Sequence, residues 1–394
     1  MYSLSRLFVA FCCATAISYF LLNLFSFNTY LEINFLTTAS DDALYTWFVL
    51  VLIFALGLIF GEFSLGFFKS KNNDSISLRM NLNFGRFSDY GTLIFLFYLF
   101  VVVLDLVWHG GLLWYRGYYH LIPDSGNFEG LFQSLIELTV AFVPLLLLVF
   151  SKGDRRLKWR ADLALFVSFF LLFGIGTKLC FAAVLFYYFT KFSLYKKLNV
   201  IDGLFLIFIF LPVVGVLFYQ RDYQLFGIYS AVALLSSSTG LSYFDFFEKA
   251  LSIVASSVYI TAETYVAAVG TADLIWVELN PLPGVLAGWY DVFEFVRIGL
   301  NVPFGGIGTL GAYSFFVLFV YAFVSSVVIV QFSKFLEQWS VPLSEAFVLF
   351  FGLFYFVSLT QYNLRSSARF IYYLAFVIVV WYLINLFFTR KASK

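Results

Sequence analysis

The chain has 394 residues, of which 62% are hydrophobic and only 12% charged. A water-soluble globule carries roughly twice that charged fraction, so a soluble fold is excluded and lipid is the solvent these side chains require. A net charge of +1 gives no basic surface for nucleic acid. Cys12, Cys13 and Cys180 all fall in apolar segments and supply neither a disulfide framework nor a metal-ligand spacing.

In chain order, apolar segments of spanning length run Leu7–Phe27, Leu44–Phe68, Gly91–Trp108, Leu131–Phe150, Val200–Tyr219, Thr309–Val330, Pro342–Thr360 and Ile371–Phe388. The first resembles a secretory signal but is too long and lacks a small-x-small cleavage site, so it is expected to remain as a span. Between the fourth and fifth lies Ala161–Thr190, two apolar arms broken by GIGTK. Each arm is about 12 residues, near 18 Å of helix against a bilayer core of about 30 Å. A hairpin of two short arms keeps most of the 24 lysines and arginines on one side, whereas a single span would move Lys191, Lys196, Lys197 and the basic tail to the other. The expected fold is therefore an all-α integral membrane protein. It is one polytopic domain, 1–394, a bundle of about ten transmembrane helices with both termini cytoplasmic. A large external segment runs over 220–308. Within it Tyr223–Phe244 and Ala250–Gly270 are weakly apolar, rich in Ser and Ala, and expected as interfacial helices; if both crossed, the count would be twelve.

Seven basic residues remain on the external side, where short loops avoid them. Lys178 sits at the hairpin tip, where a recessed ammonium needs water or an anion. Arg221 opens the external segment and Arg297 comes near its end, with Asp222 and Glu294 close enough in sequence to be ordinary ion-pair partners. Arg365 and Arg369, in QYNLRSSAR, share a face if helical. Guanidinium forks match phosphate oxygens, so a phosphate or pyrophosphate headgroup is the natural ligand of such a set, with lipid phosphate at a helix end as the simpler alternative. Lys249 is the sixth; Arg116, among aromatics in HGGLLWYRGYYHLIP, is expected to be a headgroup anchor.

Asp105 and Glu137 fall within the third and fourth spans, where a proton relay is one reading; Asp105, near the external end, is better placed at the interface. His109 and His120 flank the aromatic loop with no ligand cluster in register and are expected to be structural. The run Asn280-Pro281-Leu282-Pro283-Gly284 is a rigid turn. Trp276, Trp289 and Tyr290 bracket it, and Asp291 and Glu294 follow, the aromatic-plus-carboxylate composition of sugar sites. Tryptophans wedged among headgroups would look the same.

Taken together, the phenylalanine-rich chain, the small-small-basic tip Gly176-Thr177-Lys178, the external segment ending in NPLP, the entry PFGGIGTLGAY and the arginines of the last external turn resemble the O-antigen (Wzy-type) polymerases. Lysine stands where that family's pattern has arginine, keeping the charge without the bidentate fork. The resemblance implies a metal-independent glycosyltransferase of the bacterial inner membrane with no cofactor. It implies an undecaprenyl-diphosphate-linked oligosaccharide as donor, a second lipid-linked repeat unit as acceptor and a chain-length-regulating membrane protein as a further partner. Lys178, Arg221, Arg297, Arg365 and Arg369 would hold the diphosphate, Trp276, Trp289 and Tyr290 the sugar, and Asp222, Asp291 or Glu294 would be the base. Two other readings stand beside it. An O-antigen ligase would favour a histidine in 220–308, which has none; a flippase of lipid-linked sugars would favour paired broken halves, and only one broken region is visible.

Overall fold

The structure, a computed structural model, describes residues 3–24, 41–69, 88–118, 127–151, 155–177, 179–195, 200–236, 241–269, 274–282, 288–292, 294–299, 302–337 and 341–392. Its first elements are α1 (Leu4–Leu24), α2 (Asp41–Lys69), α3 (Ser88–His109), α4 (Asn127–Phe150), α5 (Arg155–Ile175) and α6 (Leu179–Tyr195). Then come α7 (Val200–Phe205), α8 (Leu211–Asp222), α9 (Ile228–Leu235), α10 (Tyr243–Ala267), α11 (Ile275–Glu278) and α12 (Trp289–Val292). A short hairpin, β1 (Arg297–Gly299) and β2 (Val302–Pro303), leads into α13 (Gly306–Tyr313), α14 (Phe315–Glu337), α15 (Val341–Gln361) and α16 (Leu364–Ala392). Among the described residues, eight helical stretches are long and apolar enough to cross a membrane: α1, α2, α3, the α7–α8 line, α10, α14, α15 and α16. Shorter apolar stretches lie in α4 and α6. The chain is an all-α integral membrane protein of many passes.

Two compact units divide it, Met1–Arg79 with Leu251–Lys394, and Met80–Ala250. In the first, α2 packs on α14 through small residues. A Cβ at Gly57 would stand 2.5 Å from the Phe319 carbonyl oxygen, and one at Gly61 would stand 2.7 Å from that of Phe323. The spacing Gly57-x-x-x-Gly61 faces Ala322-x-x-x-Ser326, and the Ser326 hydroxyl donates to the Leu58 carbonyl at 3.0 Å. Lipid gives no hydrophobic drive for helix association, so close backbone approach and hydroxyl bonds hold the pair. Glu62 of α2 covers the start of α1, accepting from the Ser3 hydroxyl at 2.8 Å, the Ser5 hydroxyl at 2.6 Å and the amides of Leu4 and Ser5. A carboxylate at a helix N-terminus satisfies open N–H groups and the dipole together.

The second unit manages two prolines inside helices by one device. Proline has no N–H, so the carbonyl four residues earlier loses its donor. Pro144 in α4 frees the Val140 carbonyl, and the Ser168 hydroxyl of α5 donates to it at 2.6 Å. Pro212 in α8 frees that of Phe208, within a π-helical turn joining α7 to α8, and the Tyr243 hydroxyl donates there. The Ala161–Thr190 stretch is two helices, as expected, and Tyr187 of α6 donates to Asp162 of α5 at 2.6 Å across an antiparallel hairpin. Its arms are 21 and 17 residues, longer than the apolar runs suggested, because helix continues through the charged ends Arg155–Arg160 and Lys191–Tyr195.

Tyr223–Phe244 does not form one helix. Gln220 donates to the Gly227 carbonyl at 2.7 Å beside the end of α8, α9 follows, and Tyr243 then meets Phe208, midway along the α7–α8 line. From there α10 runs parallel to α8, with Phe246 against Tyr219 at 5.5 Å and Lys249 over the same ring. The chain thus dips back along α8 before α10 begins. The Ser and Thr residues that make α10 weakly apolar are buried: Thr264 accepts from the Gly305 amide at 2.9 Å, and Ser257 meets Thr360 and Gln361 at the end of α15. Protein, rather than water or lipid, faces them.

Candidate functional site

The site grows from the start of α16. Asn363 caps that helix, its Oδ1 accepting from the Ser366 amide at 3.0 Å. The Leu364 amide is taken by Glu278 Oε2 at 2.9 Å, so a carboxylate from α11 also sits on the positive end of α16. Glu278 is 1% exposed, and its Oε1 has no hydrogen-bond partner among the described residues. Burial pushes its carboxyl up to about 7, against the opposing pull of the Leu364 and Arg365 amides and the Arg365 guanidinium.

Arg365 and Arg369, one turn apart on α16, point at the Asn280-Pro281-Leu282 turn. Arg365 is 3% exposed; it donates to the Val277 carbonyl at 2.6 Å and the Leu282 carbonyl at 2.5 Å, and its guanidinium lies over the Trp289 ring at 5.3 Å. Arg369 is half-buried and donates to the same Leu282 oxygen at 3.0 Å. Its Nε is buried with no partner among the described residues, so this guanidinium has donors left over. Tyr372, on the next turn, donates to the Leu279 carbonyl at 2.6 Å. The turn itself is tightened by Asn280, whose Oδ1 accepts from the Leu282 amide at 3.0 Å. Three carbonyls of 277–282 are thus bound by one face of α16.

Other residues expected from sequence fall variously. Arg297 lies in β1, half-buried, next to Val296, which packs in a small cluster with Trp289 and Phe304. Trp289 is 8% exposed and carries Arg365, so it offers no open face to a sugar; its affinity for flat cationic groups is already used. Trp276 is exposed beside Tyr313, and Asp291 and Glu294 are exposed. Lys178 lies outside the described residues, as do the side chains of Arg221, Asp222 and Tyr290. Glu278 was missed because VELNPLP reads as an ordinary loop entry, and only the fold brings Leu364 to it.

One further expectation is corrected. Arg116 is no headgroup anchor: it is 2% exposed and donates to Gly174 at 2.7 Å and to the Ile175 carbonyl, closing the C-terminal end of α5. Its backbone also pairs with Phe226, at 3.0 and 2.9 Å. Asp105, near the end of α3, is fully buried within the protein, 2.6 Å from His109 Nδ1. Comparison with family models, with curated proteins and with solved structures finds no match to this chain.

Proposed function

We propose that the chain is an inner-membrane polymerase joining undecaprenyl-diphosphate-linked oligosaccharide repeat units at the periplasmic face, making O-antigen or a related surface polysaccharide. The observation that carries this reading is the pair Arg365 and Arg369, two guanidiniums drawn to one carbonyl, the second with unspent donors. Like charges held this close are stabilised by an anion between or beside them, and a diphosphate supplies several oxygens in fork geometry. In the reaction the acceptor oxygen bonds to the anomeric carbon and the bond from that carbon to the donor's diphosphate breaks. The electron pair leaves with the diphosphate, so fixed positive charge stabilises the leaving group without a strong acid.

In this reading Arg369 grips the diphosphate and Arg365 positions the turn that faces it, with Arg297 as a further cation. The acceptor hydroxyl gives its proton to a base. Glu278 joins Asp291 and Glu294 as a candidate, and its carboxyl near 7 is the value that suits a base working at neutral pH.

A strain lacking the gene tests the assignment through its surface-polysaccharide gel profile. A single repeat unit capping the core, restored to a ladder by the intact gene, supports a polymerase. Absence of any capping points instead to a ligase or a flippase, and an unchanged ladder defeats all three.

A further inference from the structure

The unit Met80–Ala250 holds a second group of ionisable side chains, independent of the arginine site and of the polysaccharide reading. Asp105 and His109 face the same way on successive turns of α3, 0% and 2% exposed, with Nδ1 2.6 Å from Asp105 Oδ1. Trp108 packs on Phe132 at 5.4 Å, which brings this end of α3 to the start of α4. From α4, Glu137 lies within electrostatic reach of both residues, accepts from Gln133 at 2.8 Å and has the Thr177 hydroxyl beside it. Thr177 follows the end of α5, so three separate segments meet here.

We propose that Asp105, His109 and Glu137 form a site that binds and releases a proton. The short contact makes Nδ1 the donor to Asp105, which fixes the tautomer and leaves Nε2 as the nitrogen whose protonation changes. His109 Nε2 and Asp105 Oδ2 are both buried with no hydrogen-bond partner among the described residues. With the imidazole neutral, both are acceptors, and a buried acceptor left without a donor is costly.

Charge makes the same demand. Two carboxylates beside a neutral imidazole leave a double negative charge against the apolar core formed by Val102, Ile136 and Val140. Among the described residues the cation at this end is Arg116, whose nitrogens are engaged with the carbonyls of Leu112, Tyr118, Gly174 and Ile175. A proton on Nε2 or on Glu137 removes one unit of charge and supplies the missing donor at once. Intramembrane ionisable groups gathered in this way are the usual means of taking up or releasing protons within a bilayer.

The full chain in lipid nanodiscs, with ¹⁵N-labelled histidine, gives the test. The protein has two histidines, so His120→Gln leaves His109 as the single imidazole signal. His109 is expected to hold its proton on Nδ1 when neutral and to gain a second on Nε2 as a pH series runs from alkaline to acid across the stable range of the protein. Glu137→Gln in that background is expected to move the midpoint by about one pH unit or more. Asp105→Asn is expected to release the tautomer preference. A His109 signal that stays in one state across the range, or a midpoint that Glu137→Gln leaves in place, would overturn the proposal and make the pair a fixed structural contact. Neither result bears on the polysaccharide ladder, so this proposal and the functional one stand or fall separately.

Discussion

Arg365 and Arg369 donate to one and the same oxygen, the carbonyl of Leu282, at 2.5 and 3.0 Å. Two guanidiniums one helical turn apart would ordinarily splay to relieve repulsion. Their meeting point lies on the Asn280-Pro281-Leu282 turn, beside a buried carboxylate at the head of the same helix.

The two arginines should separate by experiment. Arg365→Ala strips donors from the Val277 and Leu282 carbonyls, at a cost of about 1–3 kcal/mol for a buried acceptor left unmet. Its thermal unfolding midpoint in nanodiscs should fall, and long-chain polysaccharide should disappear. Arg369→Ala and Arg297→Ala should insert and melt close to the parent chain yet lose the ladder. Normal ladders in all three variants would remove the diphosphate assignment.

Glu278 predicts a pH effect of definite sign. Its carboxyl is raised from 4.5 to about 7, so the folded chain binds this proton more tightly than the unfolded chain does. That preference stabilises the fold in full below about 4.5 and is lost as pH rises through 7, roughly 3 kcal/mol in all. Glu278→Gln, which cannot ionise, should be the more pH-resistant protein across that window. Parallel melting curves for the two proteins from acid to neutral pH would show that the carboxyl is not shifted.

The proline device can be tested by a double-mutant cycle. Ser168→Ala leaves the Val140 carbonyl without a donor and should cost about 1–3 kcal/mol, as for other buried orphan acceptors. Pro144→Ala restores a backbone N–H to that carbonyl, so Ser168→Ala should cost less in its presence. Equal costs in the two backgrounds, read from unfolding in mixed detergent, would mean that the hydroxyl is not replacing the missing amide.

Glycine substitutions should divide by what lies opposite. Gly57→Leu must push α14 away from the Phe319 carbonyl and the Ala322 side chain, and should destabilise by more than about 1 kcal/mol. Gly203→Ala, at a helical position with nothing within 4 Å of the added carbon, should be neutral or slightly stabilising. Comparable melting temperatures for both variants would argue against the close α2–α14 seam.

Much of the fold could be read directly. Long apolar runs have one low-energy solution in lipid, a helix that satisfies its own backbone, which is why α1 to α3 and α14 to α16 were legible. The hairpin break was preferred over a single span through the distribution of basic residues, and in the structure Gly176 adopts φ +79 and takes the bonds that end α5. The re-entry before α10 was not, since Ser and Thr buried against protein have the same letters as Ser and Thr facing water.

The site divides along the same line. Sequence alone determined that Arg365 and Arg369 would share a face if helical, because spacing fixes angle, and that Asn280-Pro281 makes a turn, because proline and asparagine restrict the backbone locally; the structure supplied the helix, α16. Only the tertiary structure decided which carbonyl they share, that Trp289 carries a guanidinium, that Glu278 caps α16, and that Asp105 and His109 are buried beside Glu137. Each of those depends on contacts between segments distant in the chain, and burial sets the strength of a charge far more than its identity does.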